Sequence, residues 1–213
     1  MLEKIGAPGF ETLSKPDKQV LKFIDLVLKI NKNNPIFYEI GVGVGATTLP
    51  VAERMNNSGK ILLFSREKDV LELASDLFVR GYTNVDSSWG SPGNTYSGYH
   101  FELARGAVEK QLPYFDLAYI DGGHVFHLDA PATCVLKNLC KIGGYMIFDD
   151  YNWSLEKSPT NNPTRRPATA KEYDIRQIKT SHVQLVCKLF MDTDSCFKCL
   201  GIEGGTVIYQ RIA

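Results

Sequence analysis

Three glycines on alternate positions, Gly41, Gly43 and Gly45, follow the apolar run Ile36-Phe37-Tyr38-Glu39-Ile40 and lead into a helical pattern from about Thr47 to Met55. Few folds tolerate such a stretch. A β-prone segment must stop, turn tightly and become a helix within a few residues. Glycine permits the turn and removes the Cβ atoms that would hold a bulky ligand off the backbone. The free N–H groups of the following helix can receive polar ligand atoms. The stretch therefore predicts a nucleotide-like ligand at a strand-to-helix turn. Glu39, just before the glycines, would repel a pyrophosphate and suits a cationic ligand.

The rest of the chain keeps the alternation that such a turn begins. Residues 1–13 read as a loose arm. Ser14-Lys15-Pro16-Asp17 reads as a helix start, with Val20, Phe23, Ile24, Val27 and Ile30 at helical spacing. Strands are expected at Ile61–Ser65, Asn84–Ser88, Phe115–Ile120 and Tyr145–Phe148. Helices are expected from Asp69 to a stop at Gly81, over Glu102–Gln111 and over Asp129–Lys141, with residues 89–99 as a loop. This alternation implies an α/β fold with a mostly parallel sheet covered on both faces. The segment from Trp153 to Thr169 breaks the rhythm with three prolines. Ala170–Phe190 reads as largely helical and Phe197–Arg211 as a hairpin.

A chain of 213 residues has room for one such domain. Its expected parts are an N-terminal arm and helix (1–34), a cofactor-binding core (35–150), an acceptor lid (151–170) and a C-terminal helix and hairpin (171–213). Balanced charge, 24 basic against 24 acidic residues, argues against bulk attraction to nucleic acid or anionic membrane. No apolar run approaches the ~20 residues of a membrane span. Five cysteines, an odd number, without a leading signal-peptide pattern suit a reducing cytoplasm. Cys196 and Cys199 have no second pair with which to build a structural zinc site.

Acids at strand ends carry the chemistry. In an open α/β sheet, ligands bind at the carboxyl ends of the strands. Asp121 ends one expected strand and Asp149-Asp150 the next, so these acids should share a crevice with the glycine turn. Carboxylates this close repel one another unless a cation neutralises them, and oxygen donors suit Mg²⁺. His124, in Asp121-Gly122-Gly123-His124, is a candidate general base, its imidazole turned back over the acids by the two glycines. His127 is expected to pack or cap. A ribose needs a carboxylate near the end of the second strand. Ser65 stands at the expected position, so Glu67 is the candidate.

Tyr38-Glu39-Ile40-Gly41-Val42-Gly43-Val44-Gly45 resembles motif I of class I S-adenosylmethionine-dependent methyltransferases. Tyr119-Ile120-Asp121-Gly122-Gly123-His124 and Lys141-Ile142-Gly143-Gly144 through Asp149-Asp150-Tyr151 resemble the macrocin and mycinamicin type of sugar O-methyltransferase. The likeness spans roughly residues 36–153, more weakly Gln184–Asp192. It implies a Rossmann-like seven-stranded sheet with the last strand antiparallel. It implies S-adenosylmethionine on Glu39, Gly41, Gly43, Gly45, Thr47, Glu67 and Asp121. The loop Trp89-Gly90-Ser91 would meet the adenine, with Ser91 where relatives often carry an acid. Mg²⁺ would sit on Asp121, Asp149 and Asp150, with His124 as base. The acceptor would be a hydroxyl of a small molecule or sugar, covered by the arm and by the Trp153–Thr169 segment. Tyr151 and Trp153 are candidates to stack on a sugar or to pack the lid base, and Arg165-Arg166 reads as an exposed basic pair, with contact to an acidic acceptor as the alternative. A homo-oligomer is compatible with this reading. Two alternatives remain: a nicotinamide-dependent oxidoreductase, since Gly41-x-Gly43-x-x-Ala46 fits the loose dinucleotide fingerprint, and a non-catalytic protein that binds S-adenosylmethionine, suggested by Ser65 and Ser91.

Overall fold

A computed structural model describes residues 1–94 and 96–213. Seven strands form one sheet: β1 (Ile36–Ile40), β2 (Lys60–Phe64), β3 (Val85–Asp86), β4 (Phe115–Ile120), β5 (Cys140–Phe148), β6 (Phe197–Glu203) and β7 (Thr206–Arg211). Their order is β3-β2-β1-β4-β5-β7-β6. The first five are parallel, and β7 runs antiparallel between β5 and β6. The expected seven-stranded Rossmann-like sheet with a C-terminal antiparallel hairpin is the fold observed.

β1 is buried at every position, as a central strand covered on both faces must be. Its side chains alternate between two cores. Tyr38 and Ile40 join Leu62, Phe64, Phe115 and Met146 on one face, whereas Phe37 joins Val20, Phe23, Ile24, Leu63 and Ile147 on the other. Each such side chain contributes about 1.5–3 kcal/mol by leaving water. The second core is closed by α1 (Lys18–Ile30), α2 (Thr48–Met55) and α3 (Glu67–Val79). The first is closed by α4 (Tyr99–Val108), α5 (Phe126–Leu139) and the C-terminal helical turns.

Several boundaries move from the sequence expectation for local reasons. Asp17, not Ser14, caps α1, its Oδ1 accepting the Val20 N–H at 2.8 Å. Ser14 instead stitches the arm, accepting from Gly6 N and donating to the Phe10 carbonyl. α4 starts at Tyr99, inside the stretch read as a loop, and α5 starts at Phe126. β3 shrinks to two residues, and β5 reaches back to Cys140. Residues 169–191 divide into α6 (Thr169–Glu172), α7 (Ile175–Lys179), α8 (His182–Val186) and one π turn (Cys187–Met191). Asp174 and Ser181 interrupt the run, each capping a new helix with its own side chain.

The strand order reverses at β1, which has β2 on one side and β4 on the other. Such a switch point opens a crevice beyond the carboxyl ends of the strands. The glycine turn leaves β1 at that place.

Candidate active site

The hydrogen-bond ladder runs one rung past the strands, and this aligns the acids. Asp121 N donates to Ile40 O at 2.8 Å, and Asp149 N donates to Ile120 O at 3.0 Å. Asp121 and Asp149 therefore sit side by side, beyond β4 and β5. Alternation puts Tyr119 on the same sheet face as Asp121, and Glu39 beside Tyr119 in register. Tyr119 Oη lies 3.0 Å from Asp149 Oδ2 and 3.2 Å from Asp121 Oδ2. The pairing of β5 with β7 brings Thr206 to the far side of Asp149, with Oγ1 3.1 Å from Oδ1.

These groups line a crevice of about 850 Å³ together with Asp150, His124, Glu39 and Asp17. Withdrawal from water holds the Asp121 carboxyl well above the usual carboxylate range, and the charges of Asp149 and Asp150 add to the effect. Burial raises Asp150 too, opposed by the neighbouring imidazole. Glu39 is 2% exposed and its Oε2 has no partner among the described residues. Burial pushes its carboxyl up to about 8, with Thr48 pulling slightly the other way. An unpartnered buried carboxyl beside a glycine turn fits a cationic ligand group, since that charge would satisfy it.

His124 reaches the acids as expected, but by a different route. Its own φ is +52°, and that of Asp150 is +54°. Non-glycine residues rarely adopt this left-handed region, and such strain gathers at functional sites. Nε2 comes to 3.4 Å from Asp121 Oδ1 and 3.5 Å from Asp150 Oδ2. Gly122 and Gly123 have no positive φ; they clear space. A Cβ on Gly122 would lie 2.7 Å from the Tyr99 ring, and one on Gly123 would lie 2.8 Å from Leu128. Tyr99, hydrogen-bonded to buried Asp129, accepts the Gly123 N–H at 3.0 Å and so holds the loop that carries His124. The positive φ is on the histidine, while the two glycines make room for Tyr99 and Leu128.

A second cavity of about 400 Å³ lies on the other side of the glycine turn. Gly41, Gly43, Ser65, Arg66, Asp69, Ser91 and Tyr99 line it. Gly43 faces open space at φ +50°, whereas Gly41, at φ +87°, would drive a Cβ into the Asp121 carbonyl. Some candidate ligand residues point elsewhere. Gly45 makes room for Leu73 and Leu2. Thr47 uses its hydroxyl to accept the Asp17 N–H at 3.0 Å. Glu67 is exposed and does not line the cavity. Asp69, two residues on, does line it, its carboxylate held by Arg66 Nε at 2.6 Å. Trp89 is buried in the core against Phe64, while Ser91 is buried at the cavity edge, its Oγ without a partner among the described residues. Two residues, about 200° of helical rotation, separate Glu67 from the lining Asp69, a difference set by the start of α3 at Glu67.

A profile of the methyltransferase-domain family matches residues 38–151, more than half of the chain. The chain belongs to this methyltransferase family. No curated protein matches the sequence. Among solved structures, the O-methyltransferase TomG from Streptomyces achromogenes, in complex with S-adenosylmethionine, aligns with a TM-score of 0.64 at 14% identity, over 100% of this chain and 89% of that one. An O-methyltransferase from Bacillus cereus, in complex with S-adenosylhomocysteine, aligns at 0.61 and 14%, over 99% and 90%. MycE, from the mycinamycin biosynthetic pathway, in complex with Mg and S-adenosylhomocysteine, aligns at 0.55 and 14%, over 88% of this chain and 48% of its own. These likenesses establish the shared Rossmann-like methyltransferase fold.

In this methyltransferase the arm and the segment after β5 both line the acid crevice, through Leu13, Lys15 and Asp17 on one side and Trp153, Ser158 and Asn161 on the other. The Trp153 ring lies 5.5 Å from that of His124. Arg165 and Arg166 do not face the crevice. Arg165 holds the Pro159 carbonyl and Arg166 pairs with Glu172, so both brace the segment itself. No helix is long and apolar enough to cross a membrane among the described residues. Nor, among them, do three or more His, Cys, Asp or Glu side chains stand in an arrangement that would hold a metal ion. Asp121, Asp149 and Asp150 share the crevice without closing on a common point, and His124 Nε2 stands between two of them. As a donor set, three carboxylates fit a hard divalent cation.

Proposed function

We propose that this protein is an S-adenosylmethionine-dependent O-methyltransferase that methylates a hydroxyl of a small, sugar-like molecule. One observation carries the reading: Asp121, His124, Asp149 and Asp150 meet in a crevice that adjoins the glycine turn of a methyltransferase domain. Glu39 receives the cationic amino-acid end of the methyl donor, and the cavity lined by Ser65, Asp69 and Ser91 receives its adenosine. The reading is supported by neighbours of the same fold whose structures hold that donor or its demethylated product.

The transfer breaks the sulfonium C–S bond and forms a C–O bond. The acceptor oxygen must lie in line with the methyl carbon, so positioning supplies much of the rate. His124 accepts the hydroxyl proton at Nε2, the nitrogen that faces the crevice. Asp121 Oδ1 and Asp150 Oδ2 flank that nitrogen at 3.4 Å and 3.5 Å. Asp121, Asp149 and Asp150 would hold Mg²⁺, which supplies positive charge to the acceptor oxygens. The Asp-Gly-x-His and Asp-Asp motifs and the likeness in fold to MycE support the mycinamicin-type subgroup.

The crevice wall supports a sugar-like acceptor. Gln19, Ser158, Thr160 and Asn161 offer amides and hydroxyls, and Trp153 and Tyr119 are the aromatic side chains among the described lining residues. Such a wall suits a polyol better than a flat aromatic ring. The nicotinamide alternative places a pyrophosphate beside Glu39, which disfavours it. Calorimetric titration decides between them. S-adenosylhomocysteine should bind and NAD⁺ should not. The reverse would end the methyltransferase reading of the site.

A further inference from the structure

Two buried hydroxyls stand between the carboxylates of the crevice. Tyr119 Oη is shared by Asp149 Oδ2 and Asp121 Oδ2, and Thr206 Oγ1 is shared by Asp149 Oδ1 and, at 2.9 Å, Asp17 Oδ2. Both oxygens of Asp149 therefore carry a hydroxyl contact. Tyr119 and Thr206 are each 2% exposed, so their hydroxyls depend on these acids for partners. Each hydroxyl has one proton and can donate to one carboxylate at a time. Phenylalanine and valine would fill the same spaces without any buried hydroxyl to satisfy. What the hydroxyls add is direction, because a carboxylate held at both oxygens cannot rotate freely.

Asp17 anchors the far end of this row. Its Oδ1 caps α1, its Oδ2 takes the Thr206 contact, and its N–H donates to Thr47 Oγ1. The segment before α1 is thereby tied both to Asp149 and to the helix that leaves the glycine turn. The sheet brings the other members together. Tyr119 and Asp121 lie on one face by alternation, and Thr206 faces Asp149 one rung beyond the Phe148–Val207 pair.

We propose that Tyr119 and Thr206 are positioning residues that hold Asp149 by its two oxygens. The inference rests on the reading of Asp149 as a cation-binding acid of the methyltransferase site. Hydrogen bonds to ligating groups from the surrounding shell are worth about 10- to 100-fold in metal affinity.

The test is a Mn²⁺ titration followed by electron paramagnetic resonance, on protein loaded with S-adenosylhomocysteine. Tyr119→Phe should weaken Mn²⁺ binding about 10-fold or more, and Thr206→Val by a smaller factor. Thr206→Ser, which keeps the hydroxyl, should stay near wild type. Affinity for S-adenosylhomocysteine should hold in all three variants. Unchanged Mn²⁺ affinity in Tyr119→Phe and Thr206→Val overturns the proposal. So does an equal fall in S-adenosylhomocysteine affinity, which would mark a general structural role. If wild type takes no Mn²⁺, the metal part of the proposed function fails, and crystal structures of the two variants then decide the positioning role. An Asp149 carboxylate turned out of its place supports it, and an unmoved one refutes it. Should Tyr119→Phe not fold, the Thr206→Val and Thr206→Ser pair carries the same comparison.

Discussion

The two hollows beside the glycine turn are built on different principles. The larger is lined by acids that stand directly past strand ends, aligned by ladder bonds from Asp121 to Ile40 and from Asp149 to Ile120. The smaller shares Asp121 and His124 with it, and its remaining wall comes largely from a helix start and a loop, with Arg66, Asp69 and Ser91. A position one step past a strand can be counted along the sequence, and its direction follows from alternation. A position on the first turn of a helix depends on where that helix begins, and a shift of one or two residues swings a side chain by 100–200°. Chemistry at strand ends is therefore the more legible, and ligand contacts on helices and loops are where counting fails.

The sharpest test of the acid crevice is loss of methyl transfer without loss of donor binding. Asp149→Ala should cut turnover about 10³-fold, the several kcal/mol that a neutralising cation supplies at an acceptor oxygen. His124→Ala should cut it by roughly 10²–10⁴-fold, the range for a general base. Both are checked by transfer of a labelled methyl group to a panel of sugars, with S-adenosylhomocysteine affinity measured alongside. A variant that keeps its rate removes its residue from the mechanism.

A smaller effect separates the two acids near the second cavity. Asp69→Ala should weaken S-adenosylhomocysteine by about 10-fold, the value of a hydrogen bond to a charged group. Glu67→Ala should leave it within about 2-fold, as for an exposed acid without a buried partner. If Glu67→Ala has the larger effect, the contrast between the hollows is wrong at its helix side.

Glu39 lines the larger hollow just before the glycine turn, and pH reads its state. Its folded carboxyl titrates at about 8 against an ordinary value of 4.5. Protonation is thus favoured by folding, so the ligand-free protein keeps its full stability below pH 4.5 and loses this contribution as pH rises through 8. The loss amounts to roughly 3–5 kcal/mol at most. Glu39→Gln should flatten the fall of melting temperature between pH 6 and 9. An unchanged slope would mean that the buried carboxyl has found a partner or water.

Much of the site was readable because few alternatives exist for a strand that ends in glycines or in acids. Asp121, Asp149, Asp150 and His124 line one crevice, although the three acids do not close on a common point among the described residues. The geometry of convergence was not readable. His124 takes the left-handed backbone itself, and the two glycines instead make room for Tyr99 and Leu128, contacts that join α4 and α5 to the loop. Trp89, expected at the adenine, instead lies in the core with its ring stacked on Phe64.

By itself the sequence determined the parallel sheet, the glycine turn at the end of β1 and the acids one step beyond β4 and β5. Periodicity and turn chemistry are local, and they act through residues close in the chain. Only the tertiary structure decided that Asp17 and Thr206, 189 residues apart, meet at Asp149. That meeting depends on the packing of α1 against the sheet and on the antiparallel register of β7, which are set by burial shared among distant segments. The same packing decided that Asp69, rather than Glu67, lines the second cavity.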